Sequence, residues 1–196
     1  MAQIERQLND LRTVVRVSQG ELTINRELCD LVDLSRQVVE EQYLISQRQI
    51  DANFPNTSIM LLADSGRLRQ VLTNLLTNAL KYSPKDRPVY VTVNRDTDED
   101  MATVAVRDEG PGIAAEAVPH LFEQFYRAPG ARAQGGASAA NMGLGLYIAQ
   151  AIVEQHGGSI SVETRLRHGS TFTVSLPLSS PQAEEPAEAG EGKSDR

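Results

Sequence analysis

Apolar residues at helical spacing mark the strongest element of the chain, a helix over residues 64–82. Asp64 or Ser65 is suited to cap its start, and Ser83-Pro84 ends it. The same spacing predicts helices over residues 4–18, 31–44 and 143–155, and a short helical piece over 116–125. The apolar face of the strongest helix consists of Leu68, Val71, Leu72, Leu75, Leu76, Ala79 and Leu80.

Alternation of apolar and polar residues predicts strands in the rest of the chain. The predicted strands cover residues 49–54, 58–62, 89–95, 101–107, 159–164 and 171–176. The first two flank the turn at 55–57, and an extended piece over 22–28 precedes the second helix. Helices that interrupt mainly antiparallel strands are typical of an α/β (α+β) two-layer sandwich. We therefore expect a mixed, mainly antiparallel sheet with helices on one face.

The patterning also divides the chain into three segments. Residues 1–20 form a helix that ends at Gly20, and its narrow apolar stripe leaves two interpretations open. It packs either on something outside the chain or back on the domain of residues 21–178. Residues 179–196 contain no large apolar side chain, so we expect a disordered acidic tail.

Composition narrows the class of protein. The net charge of −7 argues against nucleic acid as a partner, because a broad basic face is lacking. Cys29 is alone, which excludes an internal disulfide and a cysteine metal site. No apolar stretch has the length of a membrane span, and Met1 begins no signal-peptide pattern. We therefore expect a globular cytoplasmic protein.

Four polar residues share the side of helix 64–82 that lies opposite its apolar face, namely Asn74, Asn78, Lys81 and Tyr82. An amide oxygen, an ammonium group and an aromatic ring suit Mg²⁺, phosphate and a flat ring, respectively. A solvated helix face explains the pattern equally well.

A second candidate follows the strand over residues 101–107. The period of two places Asp108 on the apolar face, beside Val104 and Val106, where a carboxylate is costly without a donor. Gly110 and Gly112 then allow the backbone to approach something flat. In isolation, a tight turn explains this segment better than a binding site.

Two further glycine segments are candidates. Residues 142–146 open a helix, where free N–H groups and the helix dipole suit phosphate, although a packed glycine hinge is the alternative. Residues 169–172 begin the last strand and present either an inward hydroxyl or a plain turn.

The order of these motifs resembles the catalytic and ATP-binding domain of sensor histidine kinases, members of the GHKL superfamily with the Bergerat fold. The resemblance covers about residues 28–177 and includes five motifs in sequence. They are the Asn-rich helix, Asp108-Glu109-Gly110-Pro111-Gly112, Phe122-Glu123-Gln124-Phe125, Gly143-Leu144-Gly145-Leu146 and Gly169-Ser170-Thr171-Phe172.

The resemblance implies ATP and Mg²⁺ as ligands and a role for each motif. Asn78 would ligate Mg²⁺, Asn74 would polarise the phosphate region, and Lys81 would meet phosphate. Asp108 would accept the exocyclic amine of adenine. The residues near the nucleotide would be Tyr82, Gly110, Gly112 and Ile113. Arg127 would begin a mobile lid that runs to Asn141. The phosphates would be held by Gly143, Leu144, Gly145 and Leu146, and Thr171 would reach adenine through water.

Two departures from the family pattern bear on function. Asn141 stands where the glycine box usually begins with glycine, which predicts a stiffer lid hinge. The phosphoacceptor histidine is missing, since His120, His156 and His168 lack its context. The chain therefore resembles a fragment, a truncated product or half of a split kinase, and we expect it to be monomeric.

The implied reaction transfers the γ-phosphoryl of ATP to a histidine on a dimerisation hairpin of the parent chain or a partner. A bacterial response regulator would act downstream, and the parent kinase could be anchored in the inner membrane. A GHKL ATPase is less favoured, because Asn74 replaces the glutamate that would activate water. A non-catalytic nucleotide-binding or partner-binding module is the remaining alternative.

Overall fold

The strands that the structure describes form a five-stranded sheet and a separate two-stranded sheet. The computed structural model describes residues 2–96, 98–128 and 142–178, with side chains from residue 8 onward. The large sheet has the order β2-β4-β5-β7-β6, and only its β2–β4 pair is parallel. The strands are β1 (Glu27–Asp30), β2 (Ile50–Asn53), β3 (Met60–Ala63), β4 (Val89–Asp96), β5 (Met101–Asp108), β6 (Ser159–Arg165) and β7 (Gly169–Pro177).

Side-chain caps mark the starts of two of the helices. The helices are α1 (Ala2–Ser18), α2 (Leu31–Ser46), α3 (Ser65–Tyr82), α4 (Gly145–Gln155) and a 3₁₀ helix over Ala115–His120. Asp30 and Asp64 cap α2 and α3 by accepting backbone N–H groups of the first turn. Among the described residues, no helix is both long and apolar enough to cross a membrane.

The helices cover one face of the large sheet, which confirms the predicted fold class. Along β4 and β5, buried residues alternate with more exposed ones, so each strand presents one side to the core. The buried side of the sheet contains Val89, Val91, Val93, Ala102, Val104, Val106, Phe172, Val174 and Leu176. Leu68, Leu75 and Ile152, from α3 and α4, belong to the same core.

The two strands that flank the turn at 55–57 do not pair with each other. Strand β2 pairs in parallel with β4, whereas β3 pairs antiparallel with β1 in the small sheet. The predicted helical piece over 116–125 is the shorter 3₁₀ helix, which has Pro119 inside it.

Helix α1 packs on α4 and is only partly covered. Thr13 and Val14 are buried, whereas Leu8 and Val15 are 53% and 51% exposed. The helix therefore folds back on the domain along part of its stripe, and packing of the rest on something outside the chain stays a prediction. The predicted tail (179–196) and most of the predicted lid (129–141) lie outside the described residues.

Candidate functional site

The polar stripe of α3 is not a uniformly solvated face. Asn74 is only 5% exposed, and its Nδ2 donates a hydrogen bond to the Gly145 carbonyl at 3.2 Å. Asn78 and Lys81 are half-buried one and two turns further on. The Lys81 Nζ lies 4.9 Å from the ring centroid of Tyr82, close enough for a cation–π contact. The stripe therefore extends along α3 from Asn74, which contacts the start of α4, to the last residues of α3.

The end of α3, which carries Lys81 and Tyr82, is held by Arg48. The Arg48 guanidinium donates to the carbonyls of Leu80 and Pro84, and also to those of Ser83 and Arg87 at 3.2 and 2.8 Å. A helix C-terminus presents unsatisfied carbonyls and the negative end of the helix dipole, so a cation is favourable there. Arg48 thereby fixes the turn that follows Tyr82.

Asp108 lies at the end of β5 on the core-facing side, as the alternation of the strand predicts. It is 6% exposed, and its Oδ1 accepts the Gly110 N–H at 2.7 Å. Burial raises the pKa of this carboxyl group, while hydrogen bonds from the backbone of Gly110 and Ser170 act in the opposite direction. No salt bridge of the described residues involves Asp108.

The loop after Asp108 is pressed between α3 and the β6–β7 turn. A Cβ on Gly110 would lie 2.6 Å from Asp108 Oδ1 and 2.9 Å from the Tyr82 carbonyl oxygen. Gly112 has a φ of +67°, and a Cβ there would lie 2.1 Å from the Arg165 carbonyl oxygen. Both positions therefore require glycine, and the loop brings Asp108 next to Tyr82.

Ser170, rather than Thr171, lies beside Asp108. Ser170 pairs with Asp108 across the β5–β7 ladder and is buried, whereas Thr171 pairs with Arg107 on the opposite face of the sheet. Sequence reasoning missed Ser170 although a signal was available. The apolar residues Phe172 and Val174 alternate in β7, and extending their parity by one step places Ser170 on the core side.

Thr164 is a second residue that the sequence analysis did not single out. Its Oγ1 accepts the Ile113 N–H at 2.9 Å, lies 3.1 Å from the Gly169 carbonyl oxygen, and lies 2.9 Å from Ser170 Oγ. Ile113 packs against the core from the glycine loop. Thr164 therefore joins this loop to the β6–β7 turn around Asp108.

Among the described residues, no side chain caps the start of α4. Leu144 precedes the helix and its side chain makes no capping hydrogen bond, and a helix start of this kind suits an anion. Leu144 is 2% exposed, which leaves its backbone but not its side chain for binding. Gly143 has a φ of +71°, and a Cβ there would lie 2.6 Å from the Tyr126 carbonyl oxygen.

Several predicted site residues are thus brought together and others are not. Tyr82 and Asp108 meet at Gly110, and Asn74 meets Gly145 at the first turn of α4. Leu146 is half-buried in that same turn. Thr171 is on the other face of the sheet, and Arg127 is exposed just before the undescribed residues 129–141.

The donor set fits Mg²⁺ held partly by a substrate. No cluster of three or more His, Cys, Asp or Glu side chains among the described residues could hold a metal ion alone. Mg²⁺ commonly keeps several waters and takes only one or two protein ligands beside phosphate oxygens. The amide oxygen of Asn78, one helical turn from the contact of Asn74 with Gly145, is a ligand of the kind that this requires.

Comparison with known families and proteins gives the same picture. Residues 63–180 match the family described as histidine kinase-, DNA gyrase B-, and HSP90-like ATPase. Curated relatives from Bacillus subtilis include the sensor histidine kinase YkoH, 36% identical over 166 residues, and the sensor histidine kinase WalK, 30% identical over 186 residues. These alignments cover 85% and 94% of this chain but only 35% and 30% of the relatives, so the chain spans about a third of their length.

Solved structures show the same fold. Full-length ShkA in complex with AMPPNP has a TM-score of 0.72 and 29% identity, over 86% of this chain and 34% of that chain. The mycobacterial sensor histidine kinase MprB has a TM-score of 0.68 and 28% identity, over 77% of this chain and 97% of that chain.

Proposed function

Since this chain belongs to the histidine kinase-, DNA gyrase B-, and HSP90-like ATPase family, we propose that it is the ATP-binding catalytic part of a sensor histidine kinase. It binds ATP with Mg²⁺ between α3, the Asp108 loop and the start of α4. The names of the relatives and the solved structures support this choice within the family.

The observation that carries the proposal is the buried carboxylate of Asp108. Among the described residues it accepts backbone N–H groups but has no cation as a salt-bridge partner. A buried carboxylate with spare acceptor capacity suits an amine donor such as the exocyclic amine of adenine. Ser170 extends the polar edge of this site, and Gly110 and Gly112 let the loop after Asp108 pack against the Tyr82 and Arg165 carbonyls.

The phosphate side of the site is supported by α3 and α4. We assign Asn78 as the protein ligand of Mg²⁺, Lys81 as a phosphate contact and the first N–H groups of α4 as the phosphate-binding backbone. Mg²⁺ neutralises phosphate charge when it is bound. Asn74 holds the Gly145 carbonyl, so its role in this proposal is to position the start of α4. Arg127 remains a candidate phosphate contact.

The proposed reaction moves the γ-phosphoryl group to a histidine nitrogen. The bond from the γ-phosphorus to the bridging oxygen breaks, a phosphorus–nitrogen bond forms, and ADP leaves. The displaced proton goes to an acid on the acceptor hairpin. Because such catalysis is mostly positioning and charge stabilisation, the chain needs no strong base of its own.

The acceptor histidine is proposed to lie outside this sequence. His156 is buried with both ring nitrogens engaged, and His168 lies in the turn between β6 and β7. His120 lies at the end of the 3₁₀ helix, with Nδ1 2.7 Å from Glu123 Oε1. We keep the division into a helix over residues 1–20, a domain over 21–178 and an acidic tail as part of the proposal. A response regulator is the expected downstream partner.

Incubation with γ-labelled ATP and Mg²⁺ tests the proposal. The chain alone should bind ATP, hydrolyse it slowly and remain unlabelled. A separately supplied hairpin with the histidine and its neighbouring acid should gain an acid-labile phosphate, slowly because the two are not tethered. A hairpin whose histidine is replaced by glutamine is the matched control. Rapid hydrolysis without transfer would favour an ATPase instead, and nucleotide binding with neither reaction would favour a non-catalytic module.

A further inference from the structure

Helices α3 and α4 are antiparallel and are joined by hydrogen bonds at two places. At the distal contact, the backbone N–H of Asp64, which caps α3, donates to Nε2 of His156, which follows α4, at 3.0 Å. At the proximal contact, Asn74 Nδ2 donates to the Gly145 carbonyl at the first turn of α4. Along each helix, the two contacts are separated by about 15 Å at 1.5 Å per residue.

The hydrogen bonds of His156 fix its tautomer. A backbone N–H can only donate, so Nε2 must be unprotonated to accept it. Nδ1 lies 2.7 Å from the Ile152 carbonyl oxygen, so Nδ1 must carry the proton. His156 is 4% exposed, which leaves little access for water to replace either partner. The distal contact therefore exists only with a neutral imidazole.

Neighbouring contacts make the distal contact a junction of three segments. Asp64 Oδ1 accepts the Arg67 N–H, and Asp64 Oδ2 accepts the Asn25 N–H, both at 3.0 Å. Arg26 reaches the end of α4 by donating to the Gln155 carbonyl at 2.9 Å. The start of α3, the end of α4 and the chain before β1 are thus held together.

We propose that His156 is a positioning residue that sets α3 against α4 through the distal contact, and that its protonation releases the pair and weakens nucleotide binding. The binding part of this inference rests on the proposed function, because Asn78 and the N–H groups of α4 lie on the two helices concerned. A shift of the helix pair would change the distance between the Mg²⁺ ligand and the phosphate-binding backbone.

The surroundings of His156 favour the neutral form. Burial lowers its pKa; the hydrogen bond to the Ile152 carbonyl and the Asp64 carboxylate oppose this shift, and the Arg26 guanidinium adds to it. Among the described residues, Arg26 and Asp64 are the charged groups that act on the ring from neighbouring segments. Because the folded state binds the proton less well than the unfolded state, stability is complete above the unfolded pKa of about 6.5 and is lost as the pH falls below it.

Two substitutions of His156 separate its role as acceptor of the Asp64 N–H from its ability to take up a proton. His156→Gln keeps a side-chain oxygen that can accept the Asp64 N–H but does not titrate. His156→Leu keeps the bulk and leaves that N–H without its acceptor. His168→Gln is the matched control, because His168 is an exposed histidine in the β6–β7 turn.

The affinity for Mg²⁺-AMPPNP and the urea unfolding of the 196-residue chain are measured from pH 8 to pH 5. At pH 8, we expect the glutamine variant to bind within about threefold of wild type and the leucine variant to bind at least about tenfold more weakly. Between pH 7.5 and 5.5, the unfolding constant of wild type should rise by a larger factor than that of the glutamine variant, with about tenfold as the upper limit for one group whose unfolded pKa is about 6.5. As the pH falls from 8 to 5, the affinity for Mg²⁺-AMPPNP should fall more steeply for wild type than for the glutamine variant. His168→Gln should behave as wild type.

Equal pH profiles for wild type and His156→Gln would overturn the proposal, as would equal binding by the glutamine and leucine variants at pH 8. If the leucine variant does not fold, nitrogen NMR of wild type decides, since a protonated Nε2 at pH 8 contradicts the distal contact. If wild type binds no nucleotide even at pH 8, the proposed function has failed. The positioning role is then decided by the unfolding comparison and the NMR signal.

Discussion

Asp108 is a residue at which stability and the proposed function oppose each other. Its burial raises the pKa of the carboxyl group, which means that the folded protein holds the ionised form at a cost. The same burial strengthens a hydrogen bond from a ligand amine, because little water competes for the oxygen. The position therefore makes sense as a binding group more readily than as a stabilising one.

Replacing Asp108 with asparagine should separate these two effects. Without nucleotide, the free energy of unfolding at pH 7–8 should rise, since an amide cannot ionise and can still accept the Gly110 N–H. ATP affinity should fall by about 1.5–3 kcal/mol, the range for a hydrogen bond to a charged group. Urea unfolding and calorimetry measure the two quantities.

Glu109→Gln is the matched control for that experiment. The Glu109 carboxylate contacts Tyr90 and Arg87 rather than the proposed pocket, so ATP affinity should not change. Equal affinity of the wild-type chain for ATP and GTP would contradict the role of Asp108 in selecting adenine.

Asn78 should determine the dependence of binding on Mg²⁺. Asn78→Ala should preserve the fold, because the side chain is only half-buried on α3. The affinity for ATP with Mg²⁺ should fall by at least about 10- to 100-fold, the loss typical of removing even an outer group of a metal site. Calorimetry with and without Mg²⁺ measures the difference, and Gln70→Ala, two turns earlier on α3, is the control. Unchanged affinity in the presence of Mg²⁺ would refute the assignment.

Helix α3 is the element on which the proposed site is built. Its start is held by its own N-cap, and its end is held by a side chain from another part of the chain. Asp64 caps the start, and Arg48 hydrogen-bonds to carbonyls at and beyond the end. Burial of Arg48 lowers its pKa, against the effect of Asp86, yet a guanidinium remains charged at physiological pH. The hydrogen bonds to the carbonyls offset the desolvation cost of the guanidinium, because they satisfy the acceptors at the end of the helix.

Arg48→Met should destabilise the protein while keeping most of the packing of the side-chain stem. We expect a loss of about 2–3 kcal/mol in the free energy of unfolding, because several partly buried carbonyls lose a charged donor together. Arg95→Met at the exposed end of β4 should change stability by less than about 0.5 kcal/mol. Urea unfolding of both variants checks the prediction, and similar losses for the two would show that Arg48 does not hold α3.

At the scale of the whole molecule, the two cap carboxylates make folding sensitive to acid. Burial acts to raise the pKa values of Asp30 and Asp64, but hydrogen bonds outweigh it and both pKa values are lowered. Asp30 accepts from Ser58 and the backbone of Val32, and Asp64 accepts from the backbone of Asn25 and Arg67. A carboxyl group with a lowered folded pKa stabilises above its unfolded value of about 3.9, and this stability is lost as the pH falls through the folded pKa.

The double variant Asp30→Asn and Asp64→Asn should therefore lose less stability than wild type on acidification from pH 5 to pH 3. Asparagine remains a good N-cap, so both helices should persist at neutral pH. Asp108, with its raised pKa, works in the opposite direction and is unchanged in the variant. Unfolding free energies measured at pH 5, 4 and 3 decide the matter, and parallel curves for the two proteins would contradict it.

The sequence alone determined those features that depend on neighbours along the chain. The helical period placed α3 and narrowed its cap to Asp64 or Ser65, of which the structure has Asp64, and the period of two placed Asp108 on the core face of β5. The family resemblance rests on the same local order of motifs, and the fold it implied is confirmed. These features are local because helix and strand periodicities are set by backbone geometry within each element.

Only the tertiary structure decided which distant groups meet. Strand β2 pairs with β4 rather than with β3, because hydrogen bonding between strands depends on the whole sheet and not on the turn between neighbours. The contacts of Asn74 with Gly145 and of His156 with Asp64 join residues that are far apart in the sequence. Periodicity assigns a side chain to a face, but the neighbour that covers this face, and hence the burial, the tautomer and the pKa of the group, is fixed only when the elements pack.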